Sequence, residues 1–425
     1  MTERVYLHIG PPKTGTSHVQ QALWAGKQAL ATTGVLIPGE SHNAHRLATW
    51  DFFGRRPQGA DMPAAKGSWR VLVDQVRAWD GATAVISEES LAAARKPQVR
   101  RLVRAFAPAD VHVVVTARDL DRVIPAAWQQ RVQGGETQEW SDFLSELRDP
   151  HRASPPALLF WHRQDLVQVL SAWERAVPAG RIHVVTVPPA GLPPRLLLER
   201  FAQATGLDPD VLLAAEAGAP AATNPAPTNP APTNPAPTNS ALTNPALGMV
   251  EAEALRRLNA GLGGRLDERQ YRRVVVTAVL PALRSRPDPT RIVLPPEHRA
   301  WVRERSQAVV GGLRAGAYDV SGDLDDLLGA PDEQQRADDS AEPSDADLAE
   351  ALLAALTSVS EAYARFWRRH RRADRAPAAG GASAVASRAR AAGFRVRSAA
   401  LRTARHSPRL ARLARLALRR PGARS

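Results

Sequence analysis

Over its first two hundred residues the chain alternates short apolar runs with longer amphipathic ones, and this alternation restricts the fold more than any other feature. RVYLHIG reads as a strand, SHVQQALWAGKQALATTG as a helix closed by Gly34, and VLIP as a second short strand. SWRVLVDQVRAW is amphipathic helix, TAVISEE strand, PQVRRLVRAF helix and DVHVVVTARD a buried strand. The helical segments RVIPAAWQQRV and TQEWSDFLSEL follow, then a long helix around LVQVLSAWERAV, the strand RIHVVTV and the helix PRLLLERFAQATG. Strands joined by crossover helices build a parallel sheet covered on both faces. The predicted class is therefore α/β, with three α/β/α layers around a central parallel sheet. Ligands of such sheets collect beyond the carboxyl ends of the strands. The first loop, the SEE after TAVI and the TARD segment all lie at such ends, so they are expected to rim one cleft.

The first of these loops, GPPKTGTS from Gly10 to Ser17, joins the first strand to the first helix. Unpaired N–H groups and the positive end of the helix dipole meet an anion there. Gly10 and Gly15 let backbone approach, and Thr14, Thr16 and Ser17 add hydroxyls. The spacing Gly10-x-x-x-x-Gly15 matches the start of a Walker A loop, but Thr16-Ser17 stand where that motif requires Lys-Ser/Thr. Lys13 instead lies two residues before the second glycine. It is one of only four lysines in a chain whose positive charge is otherwise arginine, which points to a compact point charge at that place.

The loop resembles the phosphosulfate-binding loop of sulfotransferases that use 3′-phosphoadenosine 5′-phosphosulfate (PAPS), whose signature is Pro-Lys-Ser/Thr-Gly-Thr. The resemblance covers roughly residues 1–207, and TNPALGMVEAEALRRLN is similar to a later block of bacterial members. It implies P-loop NTPase-like sheet topology and transfer of a sulfuryl group from PAPS to a hydroxyl or amine. Pro12, Lys13, Thr14, Gly15, Thr16 and Ser17 would hold the 5′-phosphosulfate, with Lys13 at the bridging oxygen. The family's second signature, an arginine after a central strand and a serine eight residues later, binds the 3′-phosphate. Here Arg118 stands at the first place and Ala126 at the second, so Arg118 is the expected 3′-phosphate ligand, aided by Arg122. No metal is required for this transfer, and none is expected. Three other readings stay open: a noncatalytic relative that binds phosphoadenosine nucleotides, a P-loop nucleotide kinase or NTPase, and a polyanion-binding protein acting through its basic tail.

An acceptor must lose a proton as it is attacked, so a general base is expected within hydrogen-bond reach. Glu40, His42 and His45 follow the second strand in IPGESHNAH, and Glu88 and Glu89 end the strand TAVISEE. Glu88 and His45 are the preferred candidates, with Glu40 next. Either glutamate could instead cap the following helix. His8 and His112 fall within predicted strands, and Trp128, Trp140, Trp161 and Trp173 are expected in the core.

The remaining chain divides by composition. Residues 220–248 repeat Thr-Asn every five positions among prolines, which predicts an extended linker inside a domain spanning 1–329. Residues 330–347 are acidic and proline-bearing, 348–376 read as helix, and 377–425 form a basic tail that is partly helical. That tail carries much of the +13 net charge, so the high charge is a poor indicator of nucleic-acid binding, and no specific nucleic-acid partner is expected. Its 385–425 portion suits contact with an anionic membrane or polyanion. Absence of cysteine excludes disulfides, thiolate nucleophiles and cysteine-held metals. Without a leader or a spanning segment, the prediction is a cytoplasmic protein acting on a small-molecule, glycan or lipid acceptor.

Overall fold

The computed structural model describes residues 2–54, 65–149, 151, 154–218, 246–329 and 342–373. Two compact units divide the chain, residues 1–359 and 360–425. The larger is built on six strands: β1 (Arg4–Gly10), β2 (Val35–Leu36), β3 (Thr83–Ser87), β4 (Asp110–Ala117), β5 (Ile182–Thr186) and β6 (Asp319–Ser321). All pairings are parallel, in the order β2-β3-β1-β4-β5-β6. The connection reverses direction between β1 and β4, so the carboxyl ends of β3, β1 and β4 open onto the crevice where ligands of such sheets bind. This is the predicted α/β class with P-loop-like topology.

Alternation along the strands sorts the two faces. Val5, Leu7 and Ile9 of β1 join Ala84, Ile86, Val113 and Val115 on one face. That face is covered by α4 (Ser68–Arg77), α5 (Lys96–Ala105), α9 (Leu166–Trp173) and α15 (Pro296–Ala315). Tyr6, Val85, Val114 and Val185 project to the other face, where α1 (Thr16–Ala25), α2 (Lys27–Thr32), α10 (Arg195–Thr205) and α11 (Pro209–Gly218) cover them.

A third cluster contains no strand residue and is mainly helical. It joins α6 (Leu120–Gln133), α7 (Trp140–Arg148), α8 (Pro155–Gln164) and α12 (Met249–Leu262) with elements from beyond the repeat. Those later elements are α13 (Glu268–Tyr271), a π-helical segment Arg272–Val279, α14 (Leu280–Arg284) and the start of α16 (Asp345–Ala373). Trp128 and Trp161 are buried in this cluster with Trp140 packed beside them, and Trp173 lies in the sheet core.

Several boundaries differ from the sequence expectation. The expected first helix divides at Gly26, which is both the C-cap of α1 and the N-cap of α2. An additional helix, α3 (Ala44–Phe53), follows β2. The expected helix around 166–177 is α9, which Asp165 caps through Gln168 N–H and which ends at Trp173, and α8 before it is an additional helix. RVVVTAVLPAL is helical, and β6 adds a strand whose three residues are too short to show periodicity. The helix expected over 348–376 begins at Asp345. Most of the repeat linker and of the acidic stretch, and the entire 377–425 tail, lie outside the described residues.

Candidate functional site

Five residues separate the end of β1 from the first turn of α1, and the backbone from Gly10 through them is tightly specified. Gly10 (φ 82°), Lys13 (φ 72°) and Gly15 (φ 80°) all occupy the left-handed region. For Lys13 that conformation costs about 1 kcal/mol, so the surrounding structure must impose it. Donors engage three successive carbonyls. Thr14 Oγ1 reaches Pro11 O at 2.6 Å, Gln164 Nε2 donates to Pro12 O at 2.7 Å, and Arg118 Nη1 donates to Lys13 O at 3.1 Å. With its carbonyls held this way, the loop leads into the first turn of α1, whose N–H groups have no intrahelical acceptor.

A buried polar network lies beneath the loop. Thr14 Oγ1 and Thr116 Oγ1 are 2.6 Å apart, and Thr116 lies 3.3 Å from His8 Nε2. The other His8 nitrogen is 2.7 Å from Ser87 Oγ. Burial pushes the His8 imidazole down to about 3, so the ring is neutral and serves as a structural bridge between β1, β3 and β4. Thr14 is buried, with its hydroxyl engaged by Pro11 O and Thr116. Thr16 is likewise engaged, donating to Glu89 Oε2 at 2.8 Å. Ser17 is exposed on the first turn of α1, and Pro12 is half-buried in the loop.

Positive charge converges on this loop from three parts of the chain. Burial lowers the Lys13 amine from the ordinary lysine value; Glu89 opposes the shift, and Arg118 and Arg284 add to it. Burial also brings Arg118 down to about 10, helped by Arg122 and offset by Asp119, with Arg291 adding a smaller push downward. It remains fully charged at neutral pH. Arg122 sits one turn into α6, pairs through Nε with Asp119, and donates from Nη1 to Pro188 O at 2.9 Å. Ala126, one further turn along, continues the same face.

Three guanidinium atoms, Arg118 Nε, Arg122 Nη2 and Arg284 Nε, are buried without a protein hydrogen-bond partner. A buried cationic donor left unmatched is costly. Arg118 bonds the loop at Lys13 O and Arg284 is near enough for Lys13 to feel its charge, and unmatched cationic donors of this kind suit an anion bearing several acceptor oxygens.

The expected bases separate clearly. His45 is buried with both ring nitrogens engaged: Nε2 lies 2.9 Å from Pro38 O, and Nδ1 accepts from Ser87 N–H at 3.2 Å. Burial lowers it to about 4, so the ring is neutral and staples the β2 loop to β3. Glu88 is buried and accepts from Ser90 N–H and Ser90 Oγ at 3.2 and 2.7 Å, capping the 3-10 turn Glu89–Ala93. Burial raises its carboxyl above the usual range. The carboxylate that meets the loop is its neighbour Glu89, whose Cβ would lie 2.9 Å from a Cβ at Gly10. Glu40 is exposed after β2, close enough for its charge to raise the Lys27 amine against burial.

Sequence reasoning missed Gln164, Thr116 and Arg284. Nothing local distinguishes Arg284 among the many arginines of this chain; only the packing of α14 against α6, where it donates to Gln133 Oε1 at 3.3 Å, brings it to the loop. Among the described residues no cluster of three or more His, Asp or Glu side chains could hold a metal ion.

No family model matches the chain, and no curated protein matches it. Among solved structures, a sulfotransferase from Alicyclobacillus acidocaldarius is similar at 15% identity and a TM-score of 0.32, over 49% of this chain and 83% of that one. The assignment of the site therefore rests on its own residues.

Proposed function

We propose that the protein transfers a sulfuryl group from PAPS to a hydroxyl or amine acceptor. The observation that carries this reading is the pairing of the Lys13 loop with Arg118: the guanidinium at the end of β4 holds the lysine carbonyl and keeps a buried, unmatched Nε. Two cationic positions joined in this way fit a nucleotide with phosphates at both its 5′ and 3′ carbons. The loop and the first turn of α1 would hold the 5′-phosphosulfate, and Arg118 with Arg122 the 3′-phosphate.

Sulfuryl transfer, like phosphoryl transfer, depends mainly on positioning and on neutralising charge at the leaving oxygen. In the ammonium form Lys13 supplies that charge, and Arg284 adds a second cation nearby. Arg122 and Arg118 supply cationic donors where the missing serine would have stood, near Ala126. We assign the proton-accepting role to Glu40, because His45 and Glu88 are committed to internal contacts and Glu89 holds Thr16. The kinase or NTPase reading is weakened by the absence of lysine at position 16.

Thermal-shift titration tests the reading directly. Adenosine 3′,5′-bisphosphate is expected to stabilise the protein without magnesium, and ATP at the same concentration is not. Lys13→Ala should lower transfer of labelled sulfate from PAPS by about 10²-fold or more, the scale of removing one charge-stabilising donor. Glu40→Gln should lower turnover by about 10²-fold while leaving the thermal shift intact. Magnesium-dependent stabilisation by ATP, or full turnover by Lys13→Ala, would overturn the proposal.

A further inference from the structure

Beyond residue 359 the chain belongs to the second compact unit, and its described part is the closing stretch of α16. Three large aromatic side chains are exposed there: Tyr363 at 61%, Phe366 at 53% and Trp367 at 47%. Their spacing of three and four residues places them on one helix face. The Tyr363 and Trp367 rings meet edge-on, with centroids 6.3 Å apart. Arg365 and Arg368 are exposed between and beside them, and Arg365 also pairs with Glu361 at 3.4 Å.

We propose that this helix end seats on an anionic lipid bilayer, with the three rings in the boundary between headgroups and acyl chains and the arginines at the lipid phosphates. Charge complementarity selects that occupant. From Ala362 to Ser425 the sequence carries eighteen arginines and no lysine, against the single acidic residue Asp374. A second copy of so basic a segment would be repelled, whereas an anionic surface attracts it. Tyr and Trp favour a bilayer interface because each presents an apolar body and a polar tip. An aromatic face bordered by arginine is the pattern of helices that lie in that plane. This inference is independent of the nucleotide site.

Cosedimentation of the full chain tests it, with phosphatidylcholine vesicles compared to vesicles containing about 30% phosphatidylglycerol. The chain should pellet with the anionic vesicles and remain in solution with the neutral ones. The triple variant Tyr363→Ala, Phe366→Ala, Trp367→Ala should lose binding about tenfold or more while its circular dichroism and melting temperature stay unchanged, since the three side chains are exposed. A separate readout keeps the idea testable if that variant folds poorly: brominated lipids should quench tryptophan emission in the native chain, and less so in Trp367→Phe. Equal binding to both vesicle types, or wild-type binding by the triple variant, would refute the proposal. So would binding of a single-stranded RNA oligonucleotide at lower concentration than the anionic vesicles and equally dependent on the three rings.

Discussion

Buried histidines give this protein an acid-sensitive interior. His8 and His45 are held neutral, at about 3 and about 4, while in the unfolded chain each returns to its usual value of 6.5. Below that value the unfolded state takes up protons that the folded state refuses, so stability falls with pH until the folded-state values are reached. Each ring contributes about 1.4 kcal/mol per pH unit across that window. Chemical denaturation between pH 7 and pH 5 should show the loss, and His8→Asn should make it shallower while the His45 share remains. Lys13 acts in the opposite range. Its amine is lowered by burial, and transfer needs the charged form, so kcat/KM should decline on the alkaline side earlier than an exposed lysine would allow. In Lys13→Arg, any residual activity should lack that limb. Thr14 and Thr116 share one buried contact, and Thr14→Val should cost about 1–3 kcal/mol by leaving Thr116 and Pro11 O with fewer partners.

Among the elements, the junction of β1 with α1 is the least tolerant of change. At Gly15 an added Cβ would lie 2.4 Å from Leu197 Cδ2 on α10, in a backbone conformation that L-residues rarely adopt. Gly15→Ala should therefore lower the melting temperature and abolish stabilisation by adenosine 3′,5′-bisphosphate together, because the same peptide units serve packing and anion binding. Arg284 tests a different element. α14 packs in the helical cluster with α6, and Arg284→Gln keeps a hydrogen-bonding side chain while removing the charge that Lys13 feels. Weaker nucleotide affinity with an unchanged melting temperature is the expected result, read by titration calorimetry.

For the molecule as a whole, α11 leads into the Thr-Asn repeat and α12 follows it, and the later part of the chain brings Arg284 near Lys13 and Arg291 near Arg118. Loop-closure entropy changes slowly with length, so deleting one five-residue repeat should alter stability by about 0.5 kcal/mol or less and leave nucleotide binding intact. Equilibrium denaturation of the shortened chain checks this.

Local physics determined a good deal. Apolar alternation predicted the five longer-range strand assignments and the class of sheet, and the residue types of Gly10 to Ser17 pointed to an anion at the first helix, because glycine conformational freedom and helix polarity act over a few residues. Tertiary packing decided the rest. The base candidates Glu88 and His45 could not be sorted in sequence, since a carboxylate that caps Ser90 and one that meets the loop are adjacent letters on the same strand end. Gln164, Thr116 and Arg284 come to the loop from three separate elements, and burial alone separates Thr14, turned inward, from exposed Ser17. Charge and hydrogen-bond partners are properties of distance in space, and that distance exists only once the sheet has closed.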